Sequence, residues 1–185
     1  MPFVQPTPHI DSPNIGNYYI GRGIMYAQLI GDSGFVDMGN ATAVTITVKP
    51  TILPHFSSRV GTRFKDFTAV TEIDATGQCT LEEWTPRNLA LYLLGTTGAD
   101  SPTGEVIDMY ATPQIFASFK FVGTNTIGPQ WTFTMPLVQL SPQKAIDLIA
   151  AGSGNWGSID LQFDILKDPT SGQFLIASAT DFAQS

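Results

Sequence analysis

Two long runs of strict alternation do most to limit what this chain can become. Residues 41–48 (Ala-Thr-Ala-Val-Thr-Ile-Thr-Val) place Thr42, Val44, Ile46 and Val48 on one side of an extended backbone and Ala41, Ala43, Thr45 and Thr47 on the other. That period of two is what a half-buried strand requires. After a loop of about fifteen residues the pattern returns over 67–82. Phe67, Ala69, Ile73, Ala75, Cys79 and Leu81 face one way, and Thr68, Glu72, Asp74, Thr76, Gln78, Thr80 and Glu82 the other, so one face suits a core and the other water. Charge is segregated as well. Lys49, Arg59, Arg63 and Lys65 fall within seventeen residues that hold no Asp or Glu, and Asp66, Glu72, Asp74, Glu82 and Glu83 within the next eighteen, which hold no Lys or Arg. The expected hairpin therefore has an acidic stem and a basic tip.

A helix follows directly. Thr85 supplies an N-cap oxygen, Pro86 fits the first helical position, residues 88–94 (Asn-Leu-Ala-Leu-Tyr-Leu-Leu) carry an apolar stripe, and Gly95 offers the left-handed residue that ends it. This order of features resembles the major tail tube protein of tailed bacteriophages. The resemblance is carried by Gly39-Asn40 opening the strand 41–48, by the long loop ending Arg63-Phe64-Lys65-Asp66, by the acidic strand, and by the run from Thr80 to Gly95 that contains Glu82-Glu83-Trp84-Thr85-Pro86. It includes no catalytic residue, and tail-tip and related tube-forming proteins share it. The resemblance implies a mainly β fold, an antiparallel β-sandwich or barrel with one or two short flanking α-helices, assembling into stacked hexameric rings around a channel for the genome. It also implies partners: further copies of the chain, tail-tip or baseplate, tape-measure and tail terminator proteins, a sheath where the tail has one, and DNA only in passage. The setting it implies is a virion tail assembled in the bacterial host cytoplasm.

A chain of 185 residues, 43% of them hydrophobic, is large enough to bury a real core as one domain. The expected layout is an extended N-terminal arm over 1–16, where Pro2, Pro6, Pro8 and Pro13 disfavour regular structure, followed by a single β domain over 17–185. A net charge of −7 argues against a surface that grips phosphates. Charged residues make up only 14% while Thr, Gly, Ser and aromatics abound, a profile closer to β-rich proteins than to helical bundles or disordered chains. The single Cys79 cannot form an intrachain disulfide and reads as a small buried hydrophobe. The N-terminus lacks the apolar run of a secretory signal and no stretch of ~18 apolar residues is present, so the expectation is a soluble chain without a membrane anchor, made in a reducing cytoplasm.

The remaining segments read as strands and turns. A strand is expected within 17–30, with Gly21 and Gly23 marking a bulge or close approach, ending in the turn Gly31-Asp32-Ser33-Gly34. That tetrapeptide copies the surroundings of a serine-protease nucleophile, yet His9 and His55 are the only histidines and neither lies in a matching setting, so it is a turn. Gly152-Ser-Gly-Asn-Trp-Gly157 matches a dinucleotide fingerprint in letters. It follows an expected helix at 142–151 and precedes an expected strand at 158–166, the reverse of that motif's order. Strands are also expected at 115–122 and 130–140, with Trp131, Phe133, Met135 and Leu137 on one core face and Pro136 at an edge or bulge, and 96–108 is expected as a flexible loop. A C-terminal hairpin joins 158–166 to 173–178.

Cys and His show no metal-ligand spacing, and the carboxylates sit on a Thr-rich face suited to water, so the chain reads as a structural subunit and not an enzyme, with no cofactor and no metal. A rival from another class is a carbohydrate-binding β-sandwich that uses Trp84, Trp131 and Trp156 as a sugar platform. The rival within the tube class is a tail-tip or baseplate initiator. Under the tube reading, hairpins 41–49 and 66–83 join edge to edge into a closed barrel. Ala41, Ala43, Thr45, Thr47, Glu72 and Asp74 then line its channel. Lys49, Ile52, Leu53, His55, Phe56, Arg59, Arg63 and Lys65, on a basic loop over 49–65, make the contact to the next ring.

Overall fold

The computed structural model describes residues 17–59, 61–97, 106–148 and 156–180. The arm over 1–16, residues 98–105 of the expected loop and the glycines at 152 and 154 lie outside the described residues. In chain order the elements are β1 (Gly23–Leu29), β2 (Val36–Asp37), β3 (Ala41–Ser57), β4 (Phe64–Leu81), α1 (Pro86–Leu93), β5 (Thr96–Thr97), β6 (Ile107–Asp108), β7 (Phe116–Gly123), β8 (Gln130–Leu140), β9 (Ile159–Ile165) and β10 (Ile176–Thr180). Eight of the strands form one antiparallel sheet in the order β2-β1-β7-β8-β9-β4-β3, with β10 also on β8, and β5 and β6 form a separate small ribbon. Among the described residues the fold is thus mainly β, antiparallel, with one short flanking helix.

Strand β8 makes the sheet bend. One of its edges carries β7, while the other carries β10 along 130–134 and β9 along 138–140. Pro136 sits at the changeover, where a missing N–H breaks no ladder. Pro136 and Leu137 together oppose the single Ser118, whose hydroxyl donates to the Pro136 carbonyl at 2.6 Å. A bulge of this kind adds local twist, and the sheet curls until β1 comes up against β3. Inside the curl Met25, Cys79, Phe119, Met135, Leu161 and Phe163 are all buried, and α1 packs Leu91 and Leu94 onto the same core. Burial also pushes the Cys79 thiol up to about 12. The native protein should therefore resist a thiol reagent at about pH 8 and react only when denaturant is added; labelling of native protein at the unfolded rate would place Cys79 at the surface.

The start of α1 follows the expected chemistry, and its end does not. Thr85 Oγ1 accepts from Asn88 N at 3.1 Å. Asn88 itself is buried and its Nδ2 donates to the carbonyls of Met38 at 2.9 Å and Glu83 at 3.0 Å, tying the helix to the segment after β2. Leu94, not Gly95, takes the left-handed conformation, at φ 50° and ψ 42°. Gly95 is needed for another reason: a Cβ there would collide with the Asp108 carbonyl of β6.

Four other expectations are corrected. The strand within 17–30 is confined to β1. The helix expected at 142–151 is absent over its described part, since 141–148 are irregular. Separate anchors hold that segment: Tyr92 Oη donates to the Lys144 carbonyl at 2.5 Å, Lys144 Nζ reaches Asp160 at 3.0 Å, and Ile146 packs on the core. So short a helix nucleates poorly against such contacts. The C-terminal strand pairs with β8 and not with β9, because the turn at Asp168 sends Phe174 and Leu175 onto the core before β10 begins. Largest of all, the basic loop 49–65 is mostly strand. β3 and β4 stay paired from Ala41↔Leu81 out to Ser57↔Phe64, so that of the described residues only 58–59 and 61–63 remain for the turn. Pro50 and Pro54 are compatible with this because β3 is the edge of the sheet.

Candidate assembly interface

The outer half of the β3–β4 hairpin has no sheet behind it. β4 pairs with β9 only over 76–81, so beyond Thr76 the two strands pair with each other alone and project as a ribbon. β4 carries two extra residues there, Thr71 and Asp66. Thr71 Oγ1 donates to the Thr51 carbonyl at 3.3 Å, and Asp66 Oδ1 meets His55 Nδ1 at 2.6 Å. The bulge at Thr71 inverts the alternation beyond it. Phe67 and Ala69 therefore lie on the side of Glu72, not with Ile73 and Ala75 as the sequence pattern suggested.

Both faces of the ribbon carry exposed apolar side chains in consequence. Ile52, Phe56, Val70 and Ile73 occupy one side and Leu53, Phe64 and Phe67 the other, with exposures between 43% and 64%. Phe67 and Ile73, expected in the core, are exposed because the sheet ends before it can cover them. Scattered apolar residues on a surface need no explanation, but a contiguous two-sided set marks an interaction site. Sequence reasoning placed Ile52, Leu53 and Phe56 here. It missed Phe64 and Val70, whose signal was the absence of any strand register able to bury them.

At the root of the hairpin the two faces differ. Ala43, Thr45 and Thr47 lie opposite Thr80, Gln78 and Thr76, which in turn lie opposite Asp160, Gln162 and Asp164 of β9. Glu72 and Asp74 continue this polar face outward. Ala41 does not belong to it, because Thr42 is an extra residue that turns Ala41 toward Leu81 and the core. The sequence's segregated charge is also mixed by register: Lys49 stands opposite Asp74, in mid-strand and away from the tip, and His55 is held by Asp66. Arg59 and Arg63 remain in the turn with Lys65 at its margin, and Arg63 sits 5.7 Å over the Phe56 ring. Burial raises the Asp160 carboxyl, but the Thr80 hydroxyl and the Lys144 ammonium outweigh that and leave it below the usual carboxylate range.

The protease-like tetrapeptide is a structural clamp. Asp32 Oδ2 accepts from Leu29 N at 2.7 Å and from Arg87 Nη2 at 2.5 Å, joining the turn after β1 to α1. Arg87, which sequence reasoning overlooked, is the main reason that the Asp32 carboxyl lies below its ordinary 3.8, with the Leu29 amide next. A carboxyl lowered on folding adds stability above its unfolded value, and that stability is lost as pH falls through the folded value. Asp32→Asn should therefore cost about 1 kcal/mol near neutral pH, and urea titrations of the two proteins should converge as the pH drops below 3.8. A difference that persists in strong acid would assign the cost to packing.

Among the described residues no group of three or more His, Cys, Asp or Glu is placed to hold a metal ion, and no helix is long and apolar enough to cross a membrane. Trp131 stacks on Phe133 at 6.1 Å and Trp84 lies over Gly157, each committed to its own neighbour, while Trp156 is exposed. The molecule is thus a mainly β protein whose curled antiparallel sheet bears a short helix and a projecting ribbon with exposed apolar side chains. It belongs to the family described as Protein of unknown function UCP028589, which matches residues 18–115, from the approach to β1 through the ribbon and α1 to the edge of β7. Among curated proteins none matches the chain.

Proposed function

We propose that this chain is the structural subunit of a phage tail tube, in which copies join into hexameric rings, the rings stack, and the polar face at the root of the hairpin lines a channel for viral DNA. The observation that carries this reading is the β3–β4 ribbon. A two-stranded ribbon alone has little stability in water, and this one exposes Phe56, Phe64 and Phe67 beyond the reach of its own sheet. Every copy presents the same ribbon, so covering it with another copy removes all of the exposed surface at once. The polar face suits a conduit. Its side chains are short hydroxyls, amides and carboxylates, and a chain with net charge −7 repels phosphates and holds no base.

Concentrated pure protein with tail-tip initiator present should form rings or tubes in negative-stain electron microscopy, with masses that are multiples of one ring. Monomers alone at every concentration would overturn the proposal. A glycan-binding module would stay small in the same experiment and shift on a glycan array.

A further inference from the structure

We propose that the ribbon tip of one copy docks into the groove between β1 and β3 of the next. This rests on the tube reading for its biological role and adds the receiving surface. The groove encloses about 580 Å³ between two strand edges that face each other without pairing. β3 is the last strand of the sheet, and β2 and the Met38 amide, which donates to the Met25 carbonyl at 2.9 Å, cover β1 only from Met25 to Ala27, which leaves the edge at Gly23 and Ile24 open. Val44, Ile46, Phe121 and Phe133 line it with apolar surface.

A ribbon tip that fills it has to come from another molecule. From Ile46 in the groove to Phe56 near the tip, β3 runs outward for ten residues, roughly 33 Å at ~3.3 Å per residue, so a chain cannot fold its own tip back. The tip of a second copy has matching chemistry. It brings Phe56 and Phe64 flanked by Arg59 and Arg63, while the mouth of the groove at Asn40 is flanked by Glu82 and Glu83, which accept from the Asn40 side chain and backbone at 2.6 and 2.8 Å. Among the described residues Arg22 is the one basic residue in the lining. Apolar surface would thus meet apolar surface, and a basic flank an acidic one. Tip and groove are different surfaces of one chain, so the contact is head-to-tail and leaves a free tip and a free groove after every step. Such a contact propagates.

Disulfide trapping tests this directly, since the buried Cys79 offers no competing thiol. A Ser57→Cys, Thr42→Cys double variant, oxidised and run without reductant, should give a ladder of dimers, trimers and longer species. Either single variant should stay monomeric, and a mixture of the two singles should stop at dimers. As a second readout, Arg63→Glu and Glu82→Lys should each weaken assembly tenfold or more, and their combination should restore it. Assembly that is visible by microscopy but shows neither the ladder nor the charge coupling would remove the docking proposal and leave the tube reading standing. Tip-to-tip dimers from Ser57→Cys alone would also overturn it. No association of any kind would remove both readings.

Discussion

Truncating Phe163 to alanine is expected to lower the free energy of unfolding by about 3–5 kcal/mol, near the upper end for one core substitution. Phe163 is 1% exposed and lies on β9, the strand that joins the β4–β3 hairpin to the rest of the sheet. Its ring meets Phe119 edge-on, with centroids 4.8 Å apart and planes at 84°, a geometry that adds to the area buried. The ring also fills the space beside Gly77, where any Cβ would overlap it. Alanine would leave a cavity bounded by β4 and β7, and strands fixed in a ladder cannot collapse into it. Gly77→Ala makes the converse test, since it forces the same ring aside and should cost about 1–3 kcal/mol by overpacking. Urea unfolding measures both. A loss below about 1 kcal/mol for Phe163→Ala would mean that the centre of the core lies elsewhere.

Alternation located strands well wherever one face is buried. The expected 130–140 coincides with β8, and 158–166 brackets β9 with Ile159, Leu161, Phe163 and Ile165 inward. The same rule failed at Thr42 and Thr71. A single extra residue inverts every side chain beyond it, and composition does not announce a bulge. Pro50 and Pro54 favoured a loop reading, yet at a sheet edge they remove no ladder bond that the fold needs. Linear charge blocks told little about the folded surface, because the hairpin register sets Lys49 across from Asp74. Of the candidate interface, Ile52, Leu53, Phe56, Arg59 and Arg63 were legible as a greasy basic tip. The groove was not, since it pairs Val44 and Ile46 with Phe121 and Phe133, brought together only by the curl at Pro136.

Changing Phe56, Phe67 and Val70 together to serine is expected to abolish assembly while leaving the isolated subunit folded. In the single subunit these side chains are 43%, 64% and 58% exposed, and substitutions at such positions usually shift stability by no more than about 0.5 kcal/mol each. Thermal melts of the variant should therefore nearly overlay those of the parent at concentrations where both are monomeric. In an assembled contact the same three side chains leave water. Burial of each contributes about 1.5–3 kcal/mol, so their loss weakens one contact by roughly a thousandfold or more. Salt has a smaller effect. At about 1 M the Debye length is ~3 Å, which screens Arg59 and Arg63 from an acidic partner but leaves the apolar part intact, so parent assemblies should loosen in salt without dissolving. Sedimentation velocity over a concentration series reads both effects. A triple variant that assembles at the parent's concentration would show that the ribbon is not the contact, and one that fails to fold would show that these residues belong to the subunit's own core.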